Sequence, residues 1–225
     1  MTTPSEDVWE EKYRLGHRER YPWDAVVSFL FQHAPRDRGH GEVRVLEVGF
    51  GTGNNLWCAA REGFAVAGVE RSTEAVAVAR RWFASDGLTG DLRVGDLTML
   101  PFADASVDLA IDRAAITCVS RADAAVAVGE LARVLRPGGR LFVNVYADHS
   151  TSAMSGVRGD DGRWHDITAG TLTGVGPICF YSEADVRALL DGWELLSVEQ
   201  CDRIMRMGDV PVVHGEWRVV ARRAP

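Results

Sequence analysis

Three glycines at alternate positions, Gly49, Gly51 and Gly53, stand between a run of apolar residues and the start of a helical pattern. Glycine lets the backbone turn sharply and leaves no Cβ atom where a ligand must approach closely. A strand, a glycine loop and a helix in this order predict a site for a nucleotide-like molecule. Turns also use glycine for purely local reasons, so the loop alone does not decide the ligand.

Two acidic residues downstream extend this candidate site. Glu70 ends the next apolar run, about 20 positions after the loop, where a carboxylate can accept hydrogen bonds from both hydroxyls of a ribose. Asp96 follows the third predicted strand and suits the exocyclic amine of adenine, while the backbone N–H of Leu97 is available to a ring nitrogen. The pattern therefore predicts a nucleoside ligand.

Strands and helices must alternate to hold these residues in place. An alternation with near-continuous apolar strands predicts an α/β fold, in which helices cover both faces of a parallel sheet. Ligands of such sheets bind at the carboxyl ends of the strands. A helix and two further strands close the chain as an antiparallel hairpin. The apolar patterns predict strands over 43–48, 65–70, 92–94, 107–111, 140–146, 193–199 and 216–221, and helices over 55–62, 73–84, 122–135 and 183–190.

Two segments outside the alternation are expected to cover the site. Residues 1–40, the N-terminal cap, contain two helical patterns with several large aromatic residues. Residues 147–180, the lid segment, are rich in Gly, Ser, Thr and Asp and are too long for an ordinary connection. Such a segment is typical of a substrate or lid loop. We expect residues 1–225 to form a single domain.

Composition limits the partners. The chain has 225 residues and a formal net charge of -7, so a nucleic-acid backbone would be repelled on average. No apolar stretch approaches the roughly 20 residues of a membrane span. The four cysteines are dispersed without a CxxC pair, which argues against a zinc site or a disulfide framework. We expect a cytoplasmic protein, monomeric or homodimeric, that acts on a small molecule without a metal, nucleic acid or membrane.

The motifs resemble those of the class I S-adenosylmethionine-dependent methyltransferases, in particular those that act on small natural products. The similar segments are LEVGFGTGNN at 46–55, GVERS at 68–72, GDLTMLPFADASVDLAIDRAAI at 95–116 and RVLRPGG at 133–139. The resemblance implies a Rossmann-like seven-stranded sheet with strand order 3-2-1-4-5-7-6 and an antiparallel last strand. It also implies S-adenosylmethionine as cofactor, S-adenosylhomocysteine as product, and methyl transfer to a nitrogen or oxygen of a heteroaromatic or sugar metabolite.

The resemblance carries residue roles with it. The glycines would adjoin the methionine part of the cofactor, and Asp112 would lie near the methionine amino group. The other cofactor-binding residues belong to the same motifs. The set implied in this way is Gly49, Gly51, Gly53, Asn55, Glu70, Arg71, Asp96, Leu97 and Asp112.

The N-terminal cap is similar to the leading segment of small-molecule methyltransferases, which closes over the cofactor. Tyr13 is therefore a candidate for cofactor contact and for catalysis. Arg20, or Arg14 or Arg18, is a candidate to pair with the cofactor's carboxylate. An amphipathic helix that only packs its aromatic residues on the domain would give the same pattern.

A general base is the least determined part of the site. Methyl transfer is an in-line displacement, and only a hydroxyl acceptor requires a base within hydrogen-bond reach. His149 follows the fifth predicted strand and His165 lies in the lid segment, so both are candidates, although each could be a solvated loop residue. His214 and Glu216 straddle the last strand and are expected to be structural.

Two other functions remain compatible with the motifs. A protein that binds S-adenosylmethionine without transferring its methyl group would carry the same glycine loop and acidic residues. A nicotinamide-dependent dehydrogenase fits less well, because a dinucleotide site prefers the spacing GxGxxG and Asn54 stands three residues after Gly51.

Overall fold

The computed structural model describes residues 4–206, 208 and 210–224, with the side chains of residues 4–7 left out. In the described residues the helices are α1 (Pro4–Arg14), α2 (Asp24–His33), α3 (Asn54–Arg61), α4 (Thr73–Ser85), α5 (Arg121–Val134), α6 (Thr151–Ser155) and α7 (Glu183–Leu189). The strands are β1 (Arg44–Val48), β2 (Ala65–Glu70), β3 (Asp91–Val94), β4 (Val107–Arg113), β5 (Leu135–Tyr146), β6 (Val157–Arg158), β7 (Trp164–His165), β8 (Glu194–Met205) and β9 (Val212–Arg222).

Seven of the described strands form one sheet in the order β3-β2-β1-β4-β5-β9-β8. Strands β1 to β5 are parallel, and β9 runs antiparallel to both β5 and β8. The predicted Rossmann-like order is confirmed once the short β6–β7 hairpin, which forms a separate two-stranded sheet, is left out of the numbering. The chain changes direction across the sheet between β1 and β4, which is where ligands of such sheets bind.

Helices cover both faces of the sheet because successive strand residues point to opposite sides. Leu46 and Val48 of β1 pack in one core with Leu131 of α5. Val45, which precedes Leu46 and points to the opposite side, packs in a second core with Phe29 of α2 and residues of α3 and α4. Burial on both faces explains why the parallel strands are apolar almost throughout.

The two last strands are longer than the sequence pattern predicts. Strand β8 continues to Met205 and β9 begins at Val212, whereas the apolar pattern predicts 193–199 and 216–221. Polar residues such as Gln200, Asp202, Arg203 and His214 are interspersed among the added residues. An antiparallel hairpin at the end of a sheet tolerates them because one of its faces can meet water.

The lid segment is structured rather than an open loop. It contains α6 and the β6–β7 hairpin, and it has a small core of its own with Ile178 and Phe180 fully buried. Backbone hydrogen bonds also join Trp164 and Ile178 in both directions, at 2.6 and 3.2 Å. Directly after the segment, the N–H of Tyr181 donates to the carbonyl of Tyr146 at 2.8 Å, which joins its end to the carboxyl end of β5.

Candidate functional site

A cavity of about 570 Å³ lies at the carboxyl ends of the parallel strands. This volume falls in the range of about 300–1,000 Å³ that small-molecule pockets occupy. One part of its wall comes from the glycine loop and from the ends of β2 and β3. The other part comes from α1, the end of β4, β8, β9 and the lid segment.

Gly51 shows why the loop needs glycine. Its φ is +55°, a conformation that side chains rarely adopt, and its N–H donates to Glu70 Oε2 at 2.9 Å. Gly49 also lines the cavity. Gly53 requires a correction, because it does not line the cavity. A Cβ on Gly53 would stand 3.1 Å from Ala79 Cβ, so this glycine allows α3 to pack against α4.

Glu70 is held at the end of β2 by the backbone on both sides. Its second oxygen, Oε1, accepts the N–H of Ser72 at 2.8 Å, and burial raises the pKa of the carboxyl group. The residue is only 8 % exposed, yet it forms part of the cavity wall. Its fixed position suits the paired acceptor of two ribose hydroxyls.

Asp96 and Leu97 form the wall beyond β3 together with Arg71. Asp96 Oδ1 accepts hydrogen bonds from Thr98 N–H and Thr98 Oγ1, at 2.8 and 2.7 Å, and Asp96 Oδ2 accepts one from Arg71 at 2.7 Å. Burial alone would raise the pKa of Asp96, but these partners hold it below its usual value. The carboxylate is therefore ionised and available to a polar group in the cavity.

Two buried carboxyl groups lie below the glycine loop, and only one of them reaches the cavity. Glu47 lines the wall, and its Oε1 accepts from Asn55 Nδ2 at 2.7 Å. Glu47 Oε2 has no hydrogen-bond partner in the described part of the chain. Asp112, predicted to lie near the methionine amino group, is fully buried outside the wall and accepts the N–H of Ile116 at 2.9 Å. Burial raises the pKa of Glu47 to about 8 and that of Asp112 to about 7.

Comparisons with known proteins agree with this arrangement. A family profile described as a methyltransferase domain matches residues 46–143, which contain the glycine loop and the residues of β2, β3 and β4. The malonyl-[acyl-carrier protein] O-methyltransferase of Pectobacterium atrosepticum is 34 % identical over 116 residues, which are 52 % of this chain and 44 % of that protein. These similarities agree with the resemblance of the sequence motifs to the class I S-adenosylmethionine-dependent methyltransferases.

Solved structures share the fold of this chain over most of its length. A protein solved in work on the conversion of a disulfide bond into a thioacetal group during echinomycin biosynthesis has a TM-score of 0.73 and 22 % identity, covering 97 % of this chain and 91 % of the other. A S-adenosylmethionine-dependent methyltransferase from Methanosarcina mazei has a TM-score of 0.69 and 19 % identity, covering 87 % and 97 %. The curated relatives, in contrast, are matched over less than half of their length.

The N-terminal cap places an aromatic cluster over the glycine loop. Trp9, Tyr13 and His17 all line the cavity, and the ring centroid of Tyr13 lies 5.9 Å from that of Trp9 and 5.6 Å from that of His17. Burial raises the pKa of Tyr13 well above its usual value, and the negative charge of Glu70 adds to the effect. Tyr13 therefore remains a phenol, which can donate a hydrogen bond but cannot serve as a base.

Arg20 lies away from the cavity wall, contrary to the prediction that it pairs with the cofactor's carboxylate. Its guanidinium donates to Asp86 at 2.8 Å and stands 4.4 Å from the ring centroid of Trp57 and 4.9 Å from that of Trp82. These contacts tie the cap to α3 and α4. Arg18 is likewise engaged, with Glu74 at 3.2 Å.

The two candidate histidines of the sequence pattern also lie outside the cavity wall. His149 Nε2 is 2.7 Å from Asp202 Oδ1 at the edge of the sheet. His165 faces Asp161 in the lid segment, with its Nε2 3.8 Å from Asp161 Oδ1. Both side chains are more than a third exposed, so the prediction that either reaches the acceptor is not met by this geometry.

The second half of the cavity contains two polar residues, His214 and Glu216, that the sequence pattern predicts to be structural. His214 and Glu216 on β9 line the wall together with Thr171 of the lid segment and Arg113 at the end of β4. His214 Nε2 is 3.2 Å from Glu216 Oε1, and His214 Nδ1 is 2.5 Å from Thr171 Oγ1. Polar residues at alternate positions, 214, 216 and 218, on one strand were the available signal, since they share one face.

Proposed function

We propose that the protein transfers a methyl group from S-adenosylmethionine to a nitrogen or oxygen atom of a small molecule. The observation that carries the proposal is the continuity of the cavity. One wall holds Glu70 and Asp96, and the same space is bounded on its other side by Arg113, His214 and Glu216. A donor and an acceptor bound together in one cavity is what an in-line displacement requires.

The donor half fits S-adenosylmethionine residue by residue. Glu70 would accept the ribose hydroxyls, Asp96 and the backbone of Leu97 would meet the adenine, and Gly49 and Gly51 would adjoin the methionine part. The unpartnered Oε2 of Glu47 is a ready acceptor for the methionine ammonium group, in the place predicted for Asp112. When bound, the cofactor supplies a methyl group on a positively charged sulfur.

The acceptor half favours a small molecule. It shares about 570 Å³ with the donor and is covered by the lid segment, of which Thr171 and Val175 form part of the wall. We infer that the lid segment and the N-terminal cap close the site against water. The relatives include an O-methyltransferase, and a specialised metabolite of heteroaromatic or sugar type is the acceptor class that we propose.

The partners, the localisation and the oligomeric state of the protein are also proposals. The net charge of -7 disfavours a nucleic-acid acceptor, and we propose a cytoplasmic monomer or homodimer. In the described residues, no helix is both long and apolar enough to cross a membrane.

Binding and transfer can be tested separately. Isothermal titration with S-adenosylhomocysteine measures binding, and incubation with methyl-labelled S-adenosylmethionine and a panel of phenols, sugars, azaheterocycles and amines measures transfer. We expect Glu70→Ala to weaken binding at least tenfold and the exposed control Glu62→Ala to leave it unchanged. Undisturbed binding in Glu70→Ala would contradict the assigned site. Binding without transfer to any acceptor would instead favour a non-catalytic binding protein.

A further inference from the structure

We propose that Thr171, His214 and Glu216 form a proton relay that accepts the proton of a hydroxyl group, so that the methylated atom is oxygen. The inference rests on the proposed function and narrows its acceptor class. Thr171 comes from the lid segment, whereas His214 and Glu216 come from β9. The relay therefore exists only when the lid segment lies against the sheet.

The hydrogen bonds fix the direction of the relay. Glu216 has a side chain that is 5 % exposed. Burial would raise its pKa, but the hydrogen bond from His214 and the charges of Arg113, His214 and Arg218 lower it to about 2. An ionised carboxylate can only accept, so His214 Nε2 carries the hydrogen that faces Glu216. The other ring nitrogen, Nδ1, is then an acceptor, and the Thr171 hydroxyl donates to it across 2.5 Å.

The charged groups around His214 hold Glu216 in place, so that Nδ1 of His214 stays free to accept a proton. Arg113 and Arg218 lie 3.5 and 3.1 Å from Glu216, which keeps the carboxylate in position beneath the imidazole. The ring centroid of Tyr146 is 5.7 Å from that of His214 and packs edge-on against it. The titratable and charged groups that face His214 are Glu216 and Arg218 on β9, Arg203 opposite it on β8, Arg113 on β4 and Tyr146 on β5.

The chemistry balances through these three side chains. The acceptor oxygen forms the new carbon–oxygen bond while the carbon–sulfur bond of the donor breaks, and the sulfur keeps the electron pair. The acceptor's proton passes to Thr171 Oγ1 as Thr171 gives its own proton to His214 Nδ1. The resulting imidazolium is stabilised by Glu216 and later loses its proton to water, which reaches the exposed Thr171.

Such an arrangement favours a hydroxyl acceptor over a neutral amine. A neutral amine can attack with its own lone pair and lose its proton afterwards, whereas an alcohol or phenol is a poor nucleophile until a base removes its proton. A hydroxyl, an imidazole and a carboxylate in hydrogen-bonded sequence are the parts of a general-base system. In this relay Thr171 and His214 handle the proton, and Glu216 is a positioning residue.

The tautomer of His214 provides a test that needs no acceptor. In ¹⁵N-histidine-labelled protein, the six histidines give separate imidazole signals, and the signal lost in His214→Gln is that of His214. We expect its Nε2 to be protonated and its Nδ1 to be unprotonated at pH 7.5, with or without S-adenosylhomocysteine. Protonation of Nδ1 in the neutral ring would overturn the proposal, because that nitrogen could not then accept a proton.

Transfer assays with the panel above test the chemical role. We expect methylation of hydroxyl acceptors, a fall in kcat of about 100-fold in Thr171→Val, and recovery to within tenfold of the wild type in Thr171→Ser, with unchanged affinity for S-adenosylhomocysteine. The control Glu62→Ala, at an exposed residue outside the cavity wall, should keep wild-type turnover. Transfer to amines alone, or full activity of Thr171→Val, would overturn the relay but leave methyl transfer standing. Failure to bind S-adenosylhomocysteine would instead contradict the proposed function.

Discussion

The hydroxyl of Tyr13 lies where a side chain on Gly51 would begin. A Cβ built on Gly51 would be 2.7 Å from Tyr13 Oη, closer than side chains tolerate. Helix α1 is thus seated directly on the glycine loop, and its tyrosine fills the space that the missing Cβ leaves. The cap and the loop form one surface of the cavity, although 38 residues separate the two positions.

Replacing Gly51 by alanine should therefore harm cofactor binding more than stability. We expect Gly51→Ala to weaken binding of S-adenosylhomocysteine at least tenfold in isothermal titration, because Tyr13 must move. Gly87→Ala is the matched control, since Gly87 has a similar φ of +67° but open space around its Cβ position. The control should lose about 1 kcal/mol of stability and no affinity. If the two variants bound S-adenosylhomocysteine equally well, the contact between Gly51 and Tyr13 would not affect ligand binding.

Replacing Tyr13 by phenylalanine removes the hydroxyl and keeps the ring. It therefore separates the contribution of a hydrogen bond to ligand binding from that of packing. We expect Tyr13→Phe to weaken S-adenosylhomocysteine binding by about three- to tenfold, the worth of one hydrogen bond. Because the pKa of Tyr13 is raised, the difference between the variant and the wild type should stay constant from pH 6 to 9. Tyr21→Phe, at a residue that is 83 % exposed, should bind like the wild type. An unchanged affinity in Tyr13→Phe would remove the tyrosine from the cofactor site.

The order of the sheet could be predicted from the sequence because it depends on local patterns. The apolar runs that end at Val48 and Glu70 are buried on both faces, and each is followed by a recognisable loop and helix. The donor half of the cavity follows from this, since its residues lie directly after those strands. Gly51, Glu70 and Asp96 stand together for that reason.

The acceptor half could not be predicted in the same way, because it is made by contacts between distant segments. Thr171 and His214 are 43 residues apart and meet only through the fold of the lid segment. The same holds for Arg20, whose partners Trp57 and Trp82 lie on two different helices. Sequence position relative to a strand end, which suggested His149, does not say where a side chain points.

The buried carboxyl group of Glu47 should make the ligand-free protein less stable as the pH rises. Its pKa is about 8 in the folded protein, above the value of about 4.3 for an unfolded chain, so folding favours the protonated form. This contribution is present below about pH 4 and is lost as the pH rises through 8. We expect the melting temperature to fall between pH 5 and 9, and to fall less in Glu47→Gln.

The contributions of other carboxyl groups to the pH dependence of the melting temperature can be distinguished from that of Glu47. Asp112, with a pKa of about 7, should account for part of the slope that remains in Glu47→Gln, whereas Glu216, with a pKa of about 2, titrates below the measured range. Melting curves recorded by circular dichroism in matched buffers would give both slopes. A slope in Glu47→Gln equal to that of the wild type would mean that Glu47 is ionised in the folded protein.

Arg20 should contribute to stability without contributing to ligand binding. Its contacts with two tryptophan rings and with the carboxylate of Asp86 are partly exposed, and such interactions are worth about 0.5–1 kcal/mol each. We therefore expect Arg20→Ala to lower the free energy of unfolding by about 1–2 kcal/mol in urea titrations. Its affinity for S-adenosylhomocysteine should stay within twofold of the wild type, because the guanidinium is not in the cavity wall. Arg61→Ala, which removes a single contact with Trp57 at 5.0 Å, is the milder control. A tenfold loss of affinity in Arg20→Ala, at unchanged stability, would instead place the side chain at the cofactor's carboxylate.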